Sequence, residues 1–336
     1  MKPFAAYSRR YERKRRLLTA ALRSVDLKKH NTNTDAIKAG DILLFATLRN
    51  EGPRIPYFLE YYRNLGVDHF LIVDNGSDDG PDQLLAEAKD VSLWTTDKSY
   101  RKANFGVHWL NGLMHRYANK HWCVVVDPDE FLVYPHCDSR NLKMLTEHLD
   151  TVGRVSMGTI LLDLYGETPV AETICAAGED PVSAAPWFDP ANYFMRRNDR
   201  YRNLWIQGGP RLRAFFSDRP MHAPALNKIP LVKWERGAIF VSSTHALLPR
   251  RYNLTYDNEG GEKLTGALLH TKFLSTMSEK VSEEVKRGEH FAGGREYRAY
   301  SDQIDLGLNL WTPHSAKYED WRQLVALGLM SRGGWM

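Results

Sequence analysis

The sequence predicts an α/β fold, a mostly parallel sheet flanked by helices, and three observations predict it. From Asp41 short apolar runs alternate with amphipathic stretches, the runs are rich in β-branched and aromatic residues, and three of them end in polar or charged loops. Ile42 to Thr47 (ILLFAT), Phe70 to Asp74 (FLIVD), Val91 to Thr95 (VSLWT) and Trp122 to Asp127 (WCVVVD) read as strands buried on both faces. Pro53 opens a first helix with Ile55, Phe58, Leu59, Tyr62 and Leu65 as its apolar face, and Gly66 ends it. Pro81 to Ala88 and Phe105 to Tyr117 read as the next two helices. The loops TLRNEG (Thr47 to Gly52), DNGSDDG (Asp74 to Gly80) and DPDE (Asp127 to Glu130) follow strands, so they are expected at one crevice beyond the carboxyl ends of the sheet.

Composition bounds the function without naming it. A hydrophobic share of 43% and a charged share of 26% over 336 residues are those of a globular chain with a substantial core. A formal charge of +4 is too small to imply nucleic-acid binding. Cys123, Cys137 and Cys175 have no CxxC spacing, which argues against a zinc cluster or a disulfide framework and fits reduced thiols. The basic block Arg9 to Arg16 (RRYERKRR) precedes Leu17, Leu18, Ala20, Ala21 and Leu22. It reads either as a solvated N-terminal helix, favoured by the short apolar face, or as an amphipathic helix on an anionic membrane. No run reaches the ~18 apolar residues of a membrane span, and no signal-peptide core is present. The expectation is a cytoplasmic protein, with peripheral contact at the inner face of the membrane as the second reading.

The chemistry concentrates at DPDE. Two carboxylates at i and i+2 after a strand point to one side of an extended chain, where they can share a divalent cation directly or through water. Mg²⁺ or Mn²⁺ held in this way keeps positions open for phosphate oxygens and neutralises charge on a departing nucleoside diphosphate. A strand-end turn with solvated acids is the competing interpretation.

TLRNEGPRIPYFLEYYRNLGVDHFLIVDNGSDDG, followed by WCVVVDPDEFLVYP, resembles the family 2-like glycosyltransferases and their family 92 relatives, and GALLHTKFL at Gly266 to Leu274 resembles their closing strand. The resemblance implies a GT-A, Rossmann-like fold with an acceptor-binding extension. It also implies a nucleotide-sugar donor, such as a UDP-sugar, and a glycan or lipid-linked acceptor. Arg49, Asn50 and Glu51 then match the first-strand loop, Asp74, Asn75 and Ser77 the nucleoside loop, and Asp127, Asp129 and Glu130 the metal motif. Thr47 joins the donor-binding set, and His270 is implied to complete the metal shell with Asp127 and Asp129. Imidazole suits Mn²⁺ beside carboxylate oxygens, while a satisfied core histidine is the competing reading. Lys272, two residues on, is expected on the same strand face and within reach of the diphosphate.

An inverting transfer needs a carboxylate base, and Asp199, Asp218 and Glu235 are the candidates. Arg211 and Arg213 are candidates for an anionic ligand, and Trp187, Trp205 and Trp234 for stacking on sugar rings. The regularity weakens from Gly153 to about Pro249, where the acceptor part is placed, and a charged helix is expected from Ser278 to about Arg287. The chain divides accordingly into a basic helical segment (1–40), a nucleotide-sugar-binding half (41–153), an acceptor-binding and metal-completing half (154–290) and a helical tail (291–336). Two rival functions remain: a sugar-phosphate nucleotidyltransferase, for which Thr47 to Gly52 lacks the Gly-rich phosphate loop, and a non-catalytic nucleotide- or glycan-binding module.

Overall fold

The computed structural model describes residues 3–257, 262–277, 281 and 307–336. The helix expected from Ser278 to about Arg287 lies outside them, apart from position 281. Helix α1 (Pro3–Arg23) leads into edge strand β1 (Lys28–Asn31). The alternating core follows as β2 (Leu43–Leu48), α2 (Ile55–Leu65), β3 (His69–Asp74), α3 (Pro81–Glu87), β4 (Val91–Thr95), α4 (Val107–Tyr117) and β5 (Trp122–Val125). Next come β6 (Glu130–Val133), α5 (Leu142–Thr151), β7 (Ser156–Tyr165), α6 (Pro181–Ala184), β8 (Trp187–Phe188), β9 (Tyr193–Asn198), β10 (Asn203–Gly208) and α7 (Gly209–Phe215). β11 (Asn227–Lys233), β12 (Ile239–Ser242), β13 (Ala246–Leu248), β14 (Thr265–Phe273), β15 (Ala316–Lys317) and α8 (Trp321–Ala326) complete the described elements.

The α/β class is as the sequence predicts. One sheet runs β1-β4-β3-β2-β5-β11-β7-β14-β6, and its first half contains the parallel block β4-β3-β2-β5. Alternation along β2 sorts the two faces. Leu44, Ala46 and Leu48 pack with α2, α3 and α5, whereas Leu43 and Phe45 pack with Trp109, Leu113 and Met114 of α4. Helices on both faces make the block Rossmann-like, and its strand order reverses between β2 and β5. That reversal opens a crevice at the carboxyl ends, where Thr47 and Asp127 lie. Gly66 caps α2 at φ 96°, a conformation glycine adopts without strain.

The second half is antiparallel where β11 joins β5 and β7, and parallel where β14 joins β7. The sheet is therefore continuous across residue 153, and β1 extends it into the N-terminal segment. α1 is docked on the body rather than solvated all round: Ala20 packs with Ile239, Val241 and Leu248, and Arg16 donates to the Val241 carbonyl at 2.9 Å. No described helix is long and apolar enough to cross a membrane. Of the tail, residues 307–336 hold one short helix and the two-residue strand β15, which pairs with β8, with Trp335 stacked beside Tyr134.

Candidate functional site

The loops after β2 and β3 are tied together. Arg49 donates to the carbonyls of Asn75 (2.8 Å) and Gly76 (2.6 Å), the Asn50 amide donates to Ser77 Oγ (3.0 Å), and the Gly52 amide donates to Asp79 (2.7 Å). Asp74, at the end of β3, is buried and accepts from the Ser77 amide at 3.1 Å and from its hydroxyl at 2.5 Å. Burial pushes the Asp74 carboxyl up despite these bonds. Asn75 spends its amide nitrogen on the carbonyls of Thr96 and Lys98, while its side-chain oxygen is buried without a protein partner.

Arg54, opening α2, links the first loop to DPDE. Its guanidinium stands 3.4 Å from Glu51 and 3.7 Å from Asp129, and it donates to the Thr271 carbonyl at 3.1 Å. Thr271 in turn donates its amide to the Asp129 carbonyl at 2.9 Å, so β14 and the DPDE turn are laced by backbone. These bonds place His270 Nε2 3.3 Å from Asp129 Oδ2.

A row of ionisable groups crosses the sheet at this level. Register pairs His270 with Asp163 of β7 on one side and with Glu130 of β6 on the other. Asp163 Oδ1 is 2.6 Å from His270 Nδ1, and its Oδ2 accepts from Arg211 Nε at 2.7 Å. Burial works against a charged Asp163, but Arg211 and His270 more than reverse it and hold its carboxyl below the usual range. Burial likewise opposes a charged imidazole, yet Asp129 and Asp163 overcome it and lift His270 to about 9. Glu130 is pushed up to about 7 by burial, with Lys228 pulling the other way from 2.7 Å. Lys228 Nζ also lies 3.6 Å from Asp127, whose side chain is 51% exposed and so open to a ligand.

The donor set suits a divalent cation in one respect. Neighbouring ligands of an octahedral ion at about 2.1 Å stand about 3.0 Å apart, and Asp129 and His270 are at 3.3 Å. A carboxylate on the other ring nitrogen, as Asp163 provides, orients a metal-binding imidazole. Asp127 is turned to Lys228 instead, and among the described residues no three His, Cys, Asp or Glu side chains form a ready cage.

Beside this row, Thr47, Phe105, Val107, Leu110, Val125, Val126, Asp127, Glu130, Phe240, Ser243 and Thr244 line a crevice of about 400 Å³, counting the solvent at its mouth. Thr47 Oγ1 and Thr244 Oγ1 are buried in its wall without protein partners, so it offers two hydroxyls to a polar ligand.

Several expected residues fall elsewhere. Glu235 is exposed beyond β11, paired with Arg251. Because Lys233 pairs with Trp122 at the start of β5, Glu235 lies at the sheet edge opposite DPDE. Asp199 is exposed at the tip of the β9–β10 hairpin, next to Arg200 and Tyr201, which bind Glu12 of α1; Asp218 is exposed in the turn after α7. Arg211 and Arg213 are engaged by Asp163 and Asp189. Trp234 is fully buried and stacks on Phe240; Trp187 packs edge-on against Trp311, and Trp205 lies tilted against His245. A bulge between His270 and Phe273 breaks the alternation that would put Lys272 on the face of His270. The sequence reading missed Asp163, Lys228 and Arg54; the available signal for the first two was a lone charge inside a strand-like apolar run, which must find a partner when buried.

No protein-family model matches the chain, and no curated protein matches it. Among solved structures, a 4-diphosphocytidyl-2C-methyl-D-erythritol synthase is similar at 18% identity and a TM-score of 0.26, over 43% of this chain and 67% of its own. A protein assigned as a glucose-1-phosphate thymidylyltransferase from Bacillus anthracis, in complex with a sucrose, is similar at 10% identity and a TM-score of 0.29, over 86% of this chain and 94% of its own. At these TM-scores neither likeness carries an argument about chemistry.

Proposed function

We propose that the protein is a glycosyltransferase of the GT-A type. It moves one sugar from a nucleotide sugar, a UDP-sugar by the resemblance of its loops, to a hydroxyl of a glycan or lipid-linked acceptor. The observation that carries the reading is the meeting of Asp129 with His270 at 3.3 Å, beside the crevice at the reversal of strand order.

The roles follow from position. Asp74 accepts from the nucleoside, within a loop whose shape Arg49, Asn50, Asn75 and Ser77 maintain. Thr47 and Thr244 present hydroxyls inside the crevice. Asp129 and His270 would hold Mn²⁺ or Mg²⁺, with the exposed carboxylate of Asp127 in the same turn. The bound cation supplies charge neutralisation on the diphosphate leaving group. Asp163 keeps a proton on His270 Nδ1, so a cation arriving beside Asp129 would displace only the Nε2 proton and take that lone pair. Asp199, Asp218 and Glu235 are the candidate bases, and substituting each in the UDP-release assay distinguishes them.

The test is UDP release from a panel of UDP-sugars with Mn²⁺, with and without simple acceptors. Selective release dependent on the metal supports the reading. Pyrophosphate release from a nucleoside triphosphate and a sugar 1-phosphate, without UDP release, would replace it with a sugar-phosphate nucleotidyltransferase. Saturable binding without either product would leave a binding module.

A further inference from the structure

The two sides of α1 differ. Its inner side carries Ala20, which is fully buried against β12 and β13, and Glu12, which bonds Arg16, Arg200 and Tyr201. Its outer side leaves Tyr7 73%, Tyr11 65%, Leu18 62% and Leu22 62% exposed, and Val25, in the turn that follows, 80% exposed. Spacings of four, seven and four residues stack the first four side chains in one stripe along a helix. Lys14 lies within that stripe, Arg10 and Arg15 flank it, and all three are exposed. The helix's one acid, Glu12, is on the inner side.

We propose that this outer face seats the protein on an anionic lipid surface, with α1 lying in the plane of the interface. Charge complementarity selects this occupant: large apolar side chains set among cations, with the helix's own acid turned inward and Asp26 after it paired with Arg23, match anionic headgroups over an apolar layer. A second copy of the chain would instead bring Arg10, Lys14 and Arg15 against their own kind, which is unfavourable. The geometry also fits, because tyrosines place their rings in the apolar layer and their hydroxyls among headgroups, while Lys and Arg extend charge outward over apolar stems. The helix is not apolar enough to span a bilayer. The inference stands on α1 alone and is independent of the chemistry in the crevice.

Co-sedimentation of the full chain with phosphatidylcholine vesicles, with and without phosphatidylglycerol, tests it. Binding is expected only where phosphatidylglycerol is present and weakens as salt is raised. The Leu18→Ser/Leu22→Ser double variant should bind about tenfold or more weakly, since each substitution removes apolar area that the leucine would bury in the layer. Its thermal unfolding should match the parent, because both side chains are already exposed. Should that variant misfold, Lys14→Glu/Arg15→Glu provides the same readout through charge. Equal binding to both vesicle types, binding to neither, or unchanged binding of a folded variant overturns the proposal. So does a dimer in light scattering that the leucine substitutions dissociate while vesicles go unbound, which would assign the face to a second copy.

Discussion

His270 stands between two carboxylates: Nε2 is 3.3 Å from Asp129 Oδ2, and Nδ1 is 2.6 Å from Asp163 Oδ1. Asp163 is fully enclosed and also bound by Arg211, so the ring is fixed from behind and its second nitrogen meets Asp129. Without a metal, a charged imidazole bonded by both carboxylates satisfies the two contacts. A metal at this place would replace the proton on Nε2, and the two cases differ in how His270 variants titrate the metal.

Asp129→Ala and His270→Ala are each expected to impair metal-dependent UDP binding. The double variant should lose less than the sum of the two, because residues sharing one ion are not independent. Titration calorimetry of UDP with and without Mn²⁺ provides the measurement. If His270→Ala lowered stability but left the metal titration of the folded protein unaltered, His270 would be a core residue and nothing more.

The stability of the metal-free protein should fall on both sides of neutrality, for opposite reasons. Burial holds His245 down at about 3 and His108 at about 4. Below about pH 6.5 the unfolded chain binds protons that the fold refuses, so stability drops as pH falls. His270, raised to about 9, has the reverse sign. Its contribution is fully present below about pH 6.5 and is lost as pH rises through about 9. Urea midpoints across pH should show both limbs, with His270→Gln flattening the alkaline one.

The parallel block was legible because its strands are buried on both faces and therefore read as unbroken apolar runs. β4 spans Val91–Thr95 as the sequence predicts, and β2, β3 and β5 shift by one or two residues. β7 and β11 were not legible. Each is a strand-like run interrupted by a charge, Asp163 or Lys228, whose partner comes from a segment distant in sequence. The site divides along the same line. Thr47, Asp74, Asp127 and Asp129 lie in or at the end of recognisable strand-end loops, whereas Arg54 acquires its role only when β14 is laid beside DPDE.

Asp74→Asn is expected to weaken nucleotide affinity more than it alters the Mn²⁺ requirement. Part of that effect passes through the loop, since Asp74 binds both the amide and the hydroxyl of Ser77. Ser77→Ala separates the two contributions: it removes the hydroxyl bond while leaving the carboxylate for the nucleoside. A larger loss of UDP affinity in Asp74→Asn than in Ser77→Ala, by calorimetry, indicates direct contact. Equal losses would reduce Asp74 to a turn residue.

Removal of residues 1–26, α1 together with the turn Ser24–Asp26 that follows it, should lower Tm, because α1 covers Ile239, Val241 and Leu248. The contact with α4 is close enough to test with one substitution. A Cβ on Gly112 would come within 2.7 Å of Ser24 Cβ and 3.3 Å of the Ala20 carbonyl oxygen. Gly112→Val should therefore cost about 1–3 kcal/mol through overpacking, read as a shifted urea midpoint. The truncated chain should show a much smaller penalty for the same substitution. An equal penalty in both backgrounds would place the strain within α4 rather than at its contact with α1.

Lys228 and Glu130 form a buried pair at 2.7 Å, and removing one partner should cost far more than removing both. Lys228→Met leaves Glu130 uncompensated, a change that costs about 3–5 kcal/mol in buried pairs. The loss should depend on pH with a definite sign. Burial already puts Glu130 at about 7 with Lys228 beside it, and without the ammonium its carboxyl rises further. A folded acid whose pKa lies above the unfolded value of about 4.3 binds a proton that the unfolded chain has released. The variant's stability should therefore decline as pH rises above that value and reach its lowest level once Glu130 is forced to ionise. Adding Glu130→Gln removes the titrating group, so the double variant should recover much of the loss and lose the alkaline decline. Urea midpoints for the parent, both singles and the double across this pH range provide the check. Additive losses with parallel pH profiles would mean that the two side chains stabilise the fold separately, and that Lys228 is held by Asp127 rather than by Glu130.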